Sequence, residues 1–129
     1  MAASLNSILY AEDEPDISQV AKLALETVGG FQVEVYSNGR LALEAAPQVK
    51  PDLILLDVMM PEMDGPSTLK ALRETPGIKD IPVIFMTAKV QPSEIQGYKD
   101  LGAIDVISKP FDPMSLSDRI NEIWSKNFA

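Results

Sequence analysis

Short apolar runs alternate along the chain with segments whose apolar residues recur at helical spacing. Residues 7–11 form an apolar run that ends at three acidic residues, and the next segment repeats apolar positions every three or four residues up to Gly29. The run 53–56 has no polar face, which is typical of a central parallel strand covered on both sides. Apolar and polar residues alternate over 31–35, which predicts a half-exposed strand at an edge of the sheet.

This alternation predicts five βα units. The predicted strands are 7–11, 31–35, 52–57, 83–87 and 105–108, and the predicted helices are 15–28, 40–46, a segment through 69–72, 92–102, and a last one that begins at 113 or 114. Strands and helices that alternate in this way form a parallel sheet with helices on both faces. In such a sheet the ligand crevice lies at the carboxyl ends of the strands.

Composition limits the chemistry that the chain can perform. Its 129 residues suit one domain, 1–129, and 46% apolar with 23% charged residues is the composition of a globular protein. The absence of cysteine and histidine excludes thiolate nucleophiles, cysteine zinc sites and imidazole bases. The net charge of −8 disfavours binding to nucleic acid and to anionic membranes. The sequence shows neither a signal peptide nor a membrane-spanning run, so we expect a cytoplasmic protein.

Polar residues follow four of the predicted strands directly. They are Glu12 and Asp13 after the first strand, Asp57 at the end of the third, Thr87 at the end of the fourth and Lys109 after the fifth. Carboxylates about 4 Å apart repel by roughly 4 kcal/mol per pair at an effective dielectric near 20, so a convergent group favours Mg²⁺ or Mn²⁺. Asp57 is then a candidate nucleophile toward phosphorus, and Lys109 and Thr87 are suited to hold phosphoryl oxygens.

Each of these residues also has a simpler interpretation. Acidic residues before a helix stabilise its N-terminus, an aspartate after a strand often begins a turn, and isolated lysines are mostly solvated. The simpler interpretation is weakest for Asp57, because it follows a fully apolar strand and pairs with acidic residues at another strand end. The methionines near Asp57, together with Phe85 and Trp124, are interpreted as packing or partner surface.

Five short motifs occur in order at these strand ends. They are Glu12-Asp13, the run 53–56 with Asp57, the turn Met60-Pro61-Glu62-Met63-Asp64-Gly65, Thr87-Ala88, and Gly102-Ala103 with Lys109-Pro110. In this combination the chain resembles the receiver domains of bacterial two-component response regulators, in particular the stand-alone regulators of the chemotaxis type. The resemblance implies an α/β, flavodoxin-like (βα)5 fold, a doubly wound three-layer sandwich around a five-stranded parallel sheet.

The resemblance also implies how the acidic residues act. Asp57 is expected to accept a phosphoryl group from a sensor histidine kinase or a histidine phosphotransfer protein. Mg²⁺, or Mn²⁺ in its place, is expected to bind Glu12, Asp13, Asp57 and the backbone carbonyl of Met59. On this interpretation the protein is a switch that assists its own phosphorylation and dephosphorylation, and it does not turn over an external substrate.

Further expectations from the resemblance concern the response to phosphorylation. Thr87, Ala88 and Lys109 are expected to bind the phosphoryl group, with Thr87 moving toward it, and the bond between Lys109 and Pro110 is expected to be cis. The last two helices and the last strand are expected to bind a protein partner. Because the chain starts with Met1 and its last predicted helix runs almost to the end, we expect a stand-alone receiver without an output domain, and a domain cut from a longer protein is the alternative.

The sequence departs from the family pattern at three positions. Val106 lies where many receivers have an aromatic residue that moves with the threonine, and a β-branched aliphatic side chain cannot make the same exchange of rotamers. We therefore expect the loop after Thr87, or Tyr98 on the following helix, to report the switch. Met59 and Lys89 flank the expected path of the hydrolytic water, and neither is suited to orient it, so we expect slow self-dephosphorylation.

Two other classes of protein share parts of this pattern. Mg²⁺-dependent phosphohydrolases also place an aspartate nucleophile at a strand end, but they generally carry a second aspartate two residues later, where this chain has Met59. An electron carrier that binds FMN needs a first loop that cradles phosphate, and the acidic segment 12–14 would repel that phosphate. Both classes remain alternatives on the sequence alone.

Overall fold

The five apolar runs are the five strands of one parallel sheet in the computed structural model, which describes residues 5–128. In chain order the elements are β1 (Ser7–Ala11), α1 (Pro15–Thr27), β2 (Gln32–Tyr36), α2 (Gly39–Val49), β3 (Leu53–Asp57), α3 (Gly65–Arg73), β4 (Val83–Thr87), α4 (Pro92–Asp100), β5 (Asp105–Ser108) and α5 (Leu116–Phe128). The strand order is β2-β1-β3-β4-β5. The predicted α/β architecture with five βα units is confirmed.

The positions of the strands follow their hydrophobic patterns. Every residue of β3 is buried, and β3 lies in the middle of the sheet, as its continuous apolar run predicts. In β2, Val33 is buried whereas Gln32 and Glu34 are exposed, and β2 is an edge strand. Both sequence predictions about strand position are therefore confirmed.

Two apolar layers cover the faces of the sheet. Successive strand side chains point to opposite faces, so Tyr10 and Leu55 join the layer with α1 and α5, whereas Leu9 and Leu56 join the layer with α2 and α3. Partly buried residues of α4 pack against the second layer. The three-layer arrangement leaves the carboxyl ends of the strands at one edge.

The end of α2 and the start of α5 are the helix boundaries whose difference from the sequence prediction has a clear local cause. Helix α2 continues past Pro47 to Val49 and ends at Lys50, which has a left-handed backbone with φ 47° and donates its N–H to the carbonyl of Ala46. A proline so close to a helix end removes one N–H donor without breaking the element. Helix α5 begins only at Leu116, because Asp112 holds the preceding residues in a turn by accepting hydrogen bonds from the N–H groups of Met114 and Ser115.

The length and polarity of the helices bear on membrane insertion. Between residues 5 and 128, the structure has no helix that is both long enough and apolar enough to cross a bilayer.

Candidate functional site

The strand order brings the acidic residues together. The chain passes from β1 to β2 on one side and then returns to form β3 on the other side of β1, and a crevice opens where such a sheet changes direction. Glu12 and Asp13 follow β1, and Asp57 is the last residue of β3. Each of the three side chains offers a carboxylate oxygen within 4.8 Å of the others. The structure thus gathers these predicted site residues into one cluster.

Two of the three carboxylates in this cluster are buried, so water screens their mutual repulsion poorly. Glu12 is 2% exposed and Asp57 is 4% exposed, whereas Asp13 is half-buried. The loop after Asp57 lies close to it, because a Cβ atom on Gly65 would be 2.7 Å from the Asp57 carbonyl oxygen. Any side chain at position 65 would push this loop away, so the glycine allows the close approach of the two backbones.

Lys109 is the cation that faces these carboxylates. Its Nζ atom lies 2.9 Å from Glu12 Oε1 and 3.3 Å from Asp57 Oδ1. Its backbone N–H donates to the carbonyl oxygen of Thr87 at 2.9 Å, which links the end of β5 to the end of β4. The peptide bond between Lys109 and Pro110 is cis. The predicted convergence of Lys109 with the acidic cluster is present in the structure.

The hydrogen bonds of Glu12 include a partner that the sequence analysis missed. The hydroxyl of the fully buried Tyr10 donates to Glu12 Oε1 at 3.1 Å. The backbone N–H of Glu14 donates to Glu12 Oε2 at 3.3 Å. The signal in the sequence was a tyrosine two positions before Glu12 within an otherwise apolar strand, since residues two apart in a strand point to the same side.

The directions of the pKa shifts indicate that Lys109 alone does not balance the negative charge of the cluster. Burial, and then the neighbouring Glu12, raise the pKa of Asp57 to about 7, although Lys109 opposes this. Burial alone raises the pKa of Glu12, but hydrogen bonds from Lys109 and Asp57 outweigh it and hold the pKa below its ordinary value. Burial lowers the pKa of Lys109, but its bonds to the two carboxylates raise it more strongly. The phenol pKa of Tyr10 is raised, chiefly by burial and then by Glu12, so its hydroxyl stays protonated.

A divalent cation fits this donor set. Three carboxylates within 4.8 Å of one another supply hard oxygen ligands, and Mg²⁺ is held in proteins by one or a few carboxylates with water completing its shell. The raised pKa of Asp57 shows that the charge of Lys109 alone does not compensate the two buried carboxylates. The chemistry and spacing of these residues therefore match the Mg²⁺ or Mn²⁺ that the sequence predicts.

The remaining predicted residues lie at the end of β4 and in the segments that follow β3 and β4. Thr87 is buried at the end of β4, and its Oγ1 accepts a hydrogen bond from the N–H of Lys89 at 3.1 Å. Ala88 and Lys89 are exposed. Met59 follows closely after Asp57 and is 75% exposed, so its side chain is open to solvent rather than packed. The roles assigned to these residues by resemblance remain predictions.

The aromatic residue next to β4 belongs to α4 rather than to β5. Val106 is buried in β5, and Tyr98 of α4 packs edge-on against Phe85 with ring centroids 5.2 Å apart. Phe85 is fully buried in β4, the strand that ends at Thr87. This contact connects the strand that carries Thr87 with the exposed surface of α4.

The strand order and the acidic cluster at the carboxyl edge define an α/β protein of the flavodoxin-like class with a cation-binding crevice. Residues 8–121 match the family described as response regulator receiver domain. The chain therefore belongs to the response regulator receiver family, as the sequence analysis predicted.

Curated relatives and solved structures agree with this assignment. The chain is 34% identical over 124 residues to response regulator Rre1 of Synechocystis sp., which covers 95% of this chain and 53% of that protein. It is 38% identical over 117 residues to the DNA-binding dual master transcriptional regulator RpaA of Synechocystis sp., covering 90% of this chain and 48% of that protein. The chain thus spans about half the length of these two relatives.

Among solved structures, the chemotaxis response regulator CheY4 of Vibrio cholerae has a TM-score of 0.85 at 31% identity, covering 93% of this chain and 99% of that one. The receiver domain of the Francisella response regulator 1452 has a TM-score of 0.83 at 30% identity, with 95% and 98% covered. These likenesses confirm the flavodoxin-like (βα)5 fold. They also confirm the general function, that of a phosphoryl-accepting signalling switch in a two-component system.

Proposed function

We propose that Asp57 is the phosphoryl acceptor and that the reaction requires Mg²⁺ bound by Glu12, Asp13, Asp57 and the backbone carbonyl of Met59. The observation that supports this most strongly is the meeting of three carboxylates and Lys109 at the carboxyl ends of β1, β3 and β5. Asp57 ends β3, a strand in which every residue is buried, and its pKa is raised by burial and then by Glu12, whereas Lys109 lowers it. Bound Mg²⁺ would neutralise developing charge on the transferred phosphoryl group.

The proposed reaction transfers a phosphoryl group from the donor to the carboxylate of Asp57. A carboxylate oxygen of Asp57 attacks the phosphorus of a phosphohistidine, or of a small acyl phosphate, and a P–O bond to Asp57 forms. The P–N or P–O bond to the donor breaks, and its electron pair leaves with the donor. Lys109, whose ammonium already lies 3.3 Å from Asp57 Oδ1, pairs with an oxygen of the transferred group. The chain's own part is to hold the acceptor in place and to balance its charge.

The hydroxyl of Thr87 is proposed to bind the phosphoryl group after transfer. In the structure Thr87 Oγ1 accepts the Lys89 N–H, so a movement of this oxygen toward Asp57 would also displace the loop that carries Lys89 or break the bond. Ala88 has only a methyl side chain and leaves room for the group. The movement of this loop would pass to α4, because Lys89 lies shortly before Pro92, where that helix begins. Binding of the phosphoryl group thus shifts an equilibrium between two conformations.

The partners we propose are proteins. A sensor histidine kinase or a histidine phosphotransfer protein supplies the phosphoryl group, and a second protein binds the face of α4, β5 and α5 when Asp57 is phosphorylated. No residue of α4 is fully buried, and the side chains of this helix other than those of Ile95 and Tyr98, which pack against the sheet, are available to such a partner. A net charge of −8 argues against nucleic acid and anionic membranes as direct ligands.

The proposed role is that of a substrate and switch, located in the cytoplasm where kinases that use ATP operate, and not that of an enzyme with an external substrate. The alternative, a Mg²⁺-dependent phosphohydrolase, lacks support at position 59, where Met59 cannot act as a general acid. A single receiver domain over 1–129 without an output domain remains a prediction. Detection of the protein in its source cells at 14.1 kDa would support it, and a band near twice that mass would contradict it.

The acceptor is tested by intact-mass spectrometry with acetyl phosphate as the donor. One added phosphoryl group is expected with Mg²⁺, and none is expected with EDTA or in Asp57→Asn. Asp64→Asn is the matched control, because Asp64 is an exposed N-cap of α3 and asparagine caps helices equally well. Labelling that persists in Asp57→Asn, or that does not need the cation, would contradict the proposal.

A further inference from the structure

Tyr10 places a hydroxyl group inside an otherwise apolar layer. It lies near the end of β1, is fully buried, and belongs to the layer formed with α1 and α5. Its hydroxyl donates to Glu12 Oε1 at 3.1 Å in a buried hydrogen bond. The apolar layer needs only the ring, so the hydroxyl is the part of this side chain that calls for an explanation beyond packing.

Tyr10, Lys109 and the backbone of Glu14 donate hydrogen bonds to the carboxylate of Glu12. Oε1 accepts from the Tyr10 hydroxyl at 3.1 Å and from Lys109 Nζ at 2.9 Å. Oε2 accepts the backbone N–H of Glu14 at 3.3 Å. Because two donors engage Oε1, Oε2 has the larger remaining capacity to accept, and it is the oxygen better suited to bind a cation.

Lys109 and Tyr10, the two donors to Glu12 Oε1, affect the binding of a divalent cation differently, because only Lys109 is charged. Lys109 attracts Glu12 but repels a divalent ion, and it also pairs with Asp57 at 3.3 Å. Tyr10 is neutral, so it fixes the same oxygen without adding a charge that opposes the ion. Without the hydroxyl, only Lys109 and the backbone N–H of Glu14 hold the carboxylate, which can then turn more easily and offer both oxygens to Lys109. The cation would then have to compete with the ammonium group for Glu12.

We propose that Tyr10 is a positioning residue of the cation site, which fixes Glu12 Oε1 through its hydroxyl and thereby leaves Oε2 available to the metal. This inference rests on the proposed function, in which Glu12 is one of the ligands. Partners that orient a ligand typically change metal affinity by about 10-fold to 100-fold when they are removed. Since Glu12 keeps its backbone donor, we expect the lower end of this range.

The test uses Tyr10→Phe, which keeps the buried ring and removes only the hydroxyl. Binding of Mn²⁺ to the unphosphorylated full chain is measured from the electron paramagnetic resonance signal of the unbound ion. The expected result is an affinity about 10-fold weaker than in the wild type. Tyr36→Phe is the matched control, because Tyr36 also lies at the end of a strand next to β1 but packs in the opposite layer. The Mn²⁺ affinity of this variant should equal that of the wild type.

Two further measurements separate positioning from a general structural effect. In a Glu12→Asp background the carboxylate is one methylene shorter and moves away from the hydroxyl, so adding Tyr10→Phe should change the Mn²⁺ affinity by less than about twofold. The rate of labelling by acetyl phosphate at saturating Mg²⁺ should match the wild type, because a weaker site is filled at high concentration. A lower rate that Mg²⁺ does not restore would show that the whole site is distorted and would overturn the inference.

The outcomes also separate this inference from the proposed function. If the wild type binds Mn²⁺ and Tyr10→Phe binds it equally well, the inference is overturned while the proposed function stands. An equal loss of affinity in the wild-type and Glu12→Asp backgrounds also overturns it, because Tyr10 then acts through packing alone. If the wild type binds no Mn²⁺ and is not labelled, the proposed function fails, and the inference fails with it.

Discussion

Replacing the proposed acceptor by an amide is expected to stabilise the cation-free protein at neutral pH. Asp57 is buried beside Glu12, and deprotonation places two carboxylates in one poorly solvated pocket that a single lysine serves. Asparagine has nearly the same shape, accepts from Lys109 through its oxygen and donates to Glu12 through its nitrogen. Asp57→Asn therefore removes the repulsion and keeps the hydrogen bonds.

The magnitude follows from the pKa of Asp57. Its value is raised from 3.8 to about 7, a difference of about 3 pH units, and each unit corresponds to about 1.4 kcal/mol. Deprotonation in the folded protein therefore costs at most about 4 kcal/mol relative to the unfolded chain. The pKa of Glu12 is lowered in the same cluster, which offsets part of that cost. We expect a net gain of about 2 kcal/mol in the free energy of unfolding.

The sign of the pH dependence distinguishes this effect from others. Between pH 3.8 and about 7 the folded protein binds a proton at Asp57 that the unfolded chain has released, so this residue makes the wild type lose stability as the pH rises. The amide of the Asp57→Asn variant does not titrate in this range. The stability difference between the variant and the wild type should therefore be small near pH 4 and reach its full size above about pH 7.

Urea denaturation with EDTA, followed by circular dichroism at about pH 4.5, 6 and 7.5, measures this difference. Saturating Mg²⁺ should reduce it at the highest of these pH values, because the cation stabilises the folded wild type through Asp57. Asp52→Asn is an informative comparison at the opposite end of β3, where Asp52 accepts from the N–H groups of Asn6 and Ser7, and this variant should be destabilised. A variant Asp57→Asn that is no more stable than the wild type above neutral pH would refute the reasoning.

Two further predictions concern the phosphorylated protein. In Met59→Asn combined with Lys89→Glu, groups able to bind water replace an exposed thioether and an exposed cation at the positions expected to flank the hydrolytic water, and we expect aspartyl phosphate to decay faster by up to about 100-fold. The decay is measured by intact mass over time, and an unchanged rate would show that these positions do not control hydrolysis. On addition of beryllofluoride with Mg²⁺, NMR shifts should extend from the acidic pocket to Tyr98 of α4, and shifts confined to the pocket would contradict a readout through that helix.

The sequence was sufficient to predict the sheet and the meeting of the charged residues. The uniform apolar run of β3 distinguished a central strand, and the rule that parallel strands end at one edge brought Asp57 to Glu12 and Lys109. Both predictions depend on periodicity and topology, which a single chain displays directly.

Three features could not be predicted from periodicity. The start of α5 at Leu116 depends on the hydrogen bonds of the Asp112 turn, which take the place of the first helical turn. The spacing of apolar residues contains no information about these bonds. Tyr10 was interpreted as part of an apolar strand, because hydrophobic patterns do not record where the one polar atom of its side chain points. The contact of Tyr98 with Phe85 joins two elements whose relative placement no local pattern contains.

The hydrogen bonds around Lys109 provide a route by which the proposed phosphorylation of Asp57 would reach the surface at α4. The ammonium group bridges Glu12 and Asp57, so a phosphoryl group on Asp57 must draw it away from Glu12 or share it. The backbone N–H of the same residue binds the carbonyl of Thr87, and the Thr87 hydroxyl is held by the loop that leads into α4. The pocket and the exposed helix are therefore joined through one strand end. With Val106 in β5, the aromatic contact at this junction lies on α4 itself, so the helix proposed to meet the partner also carries the side chain that packs against the strand of Thr87.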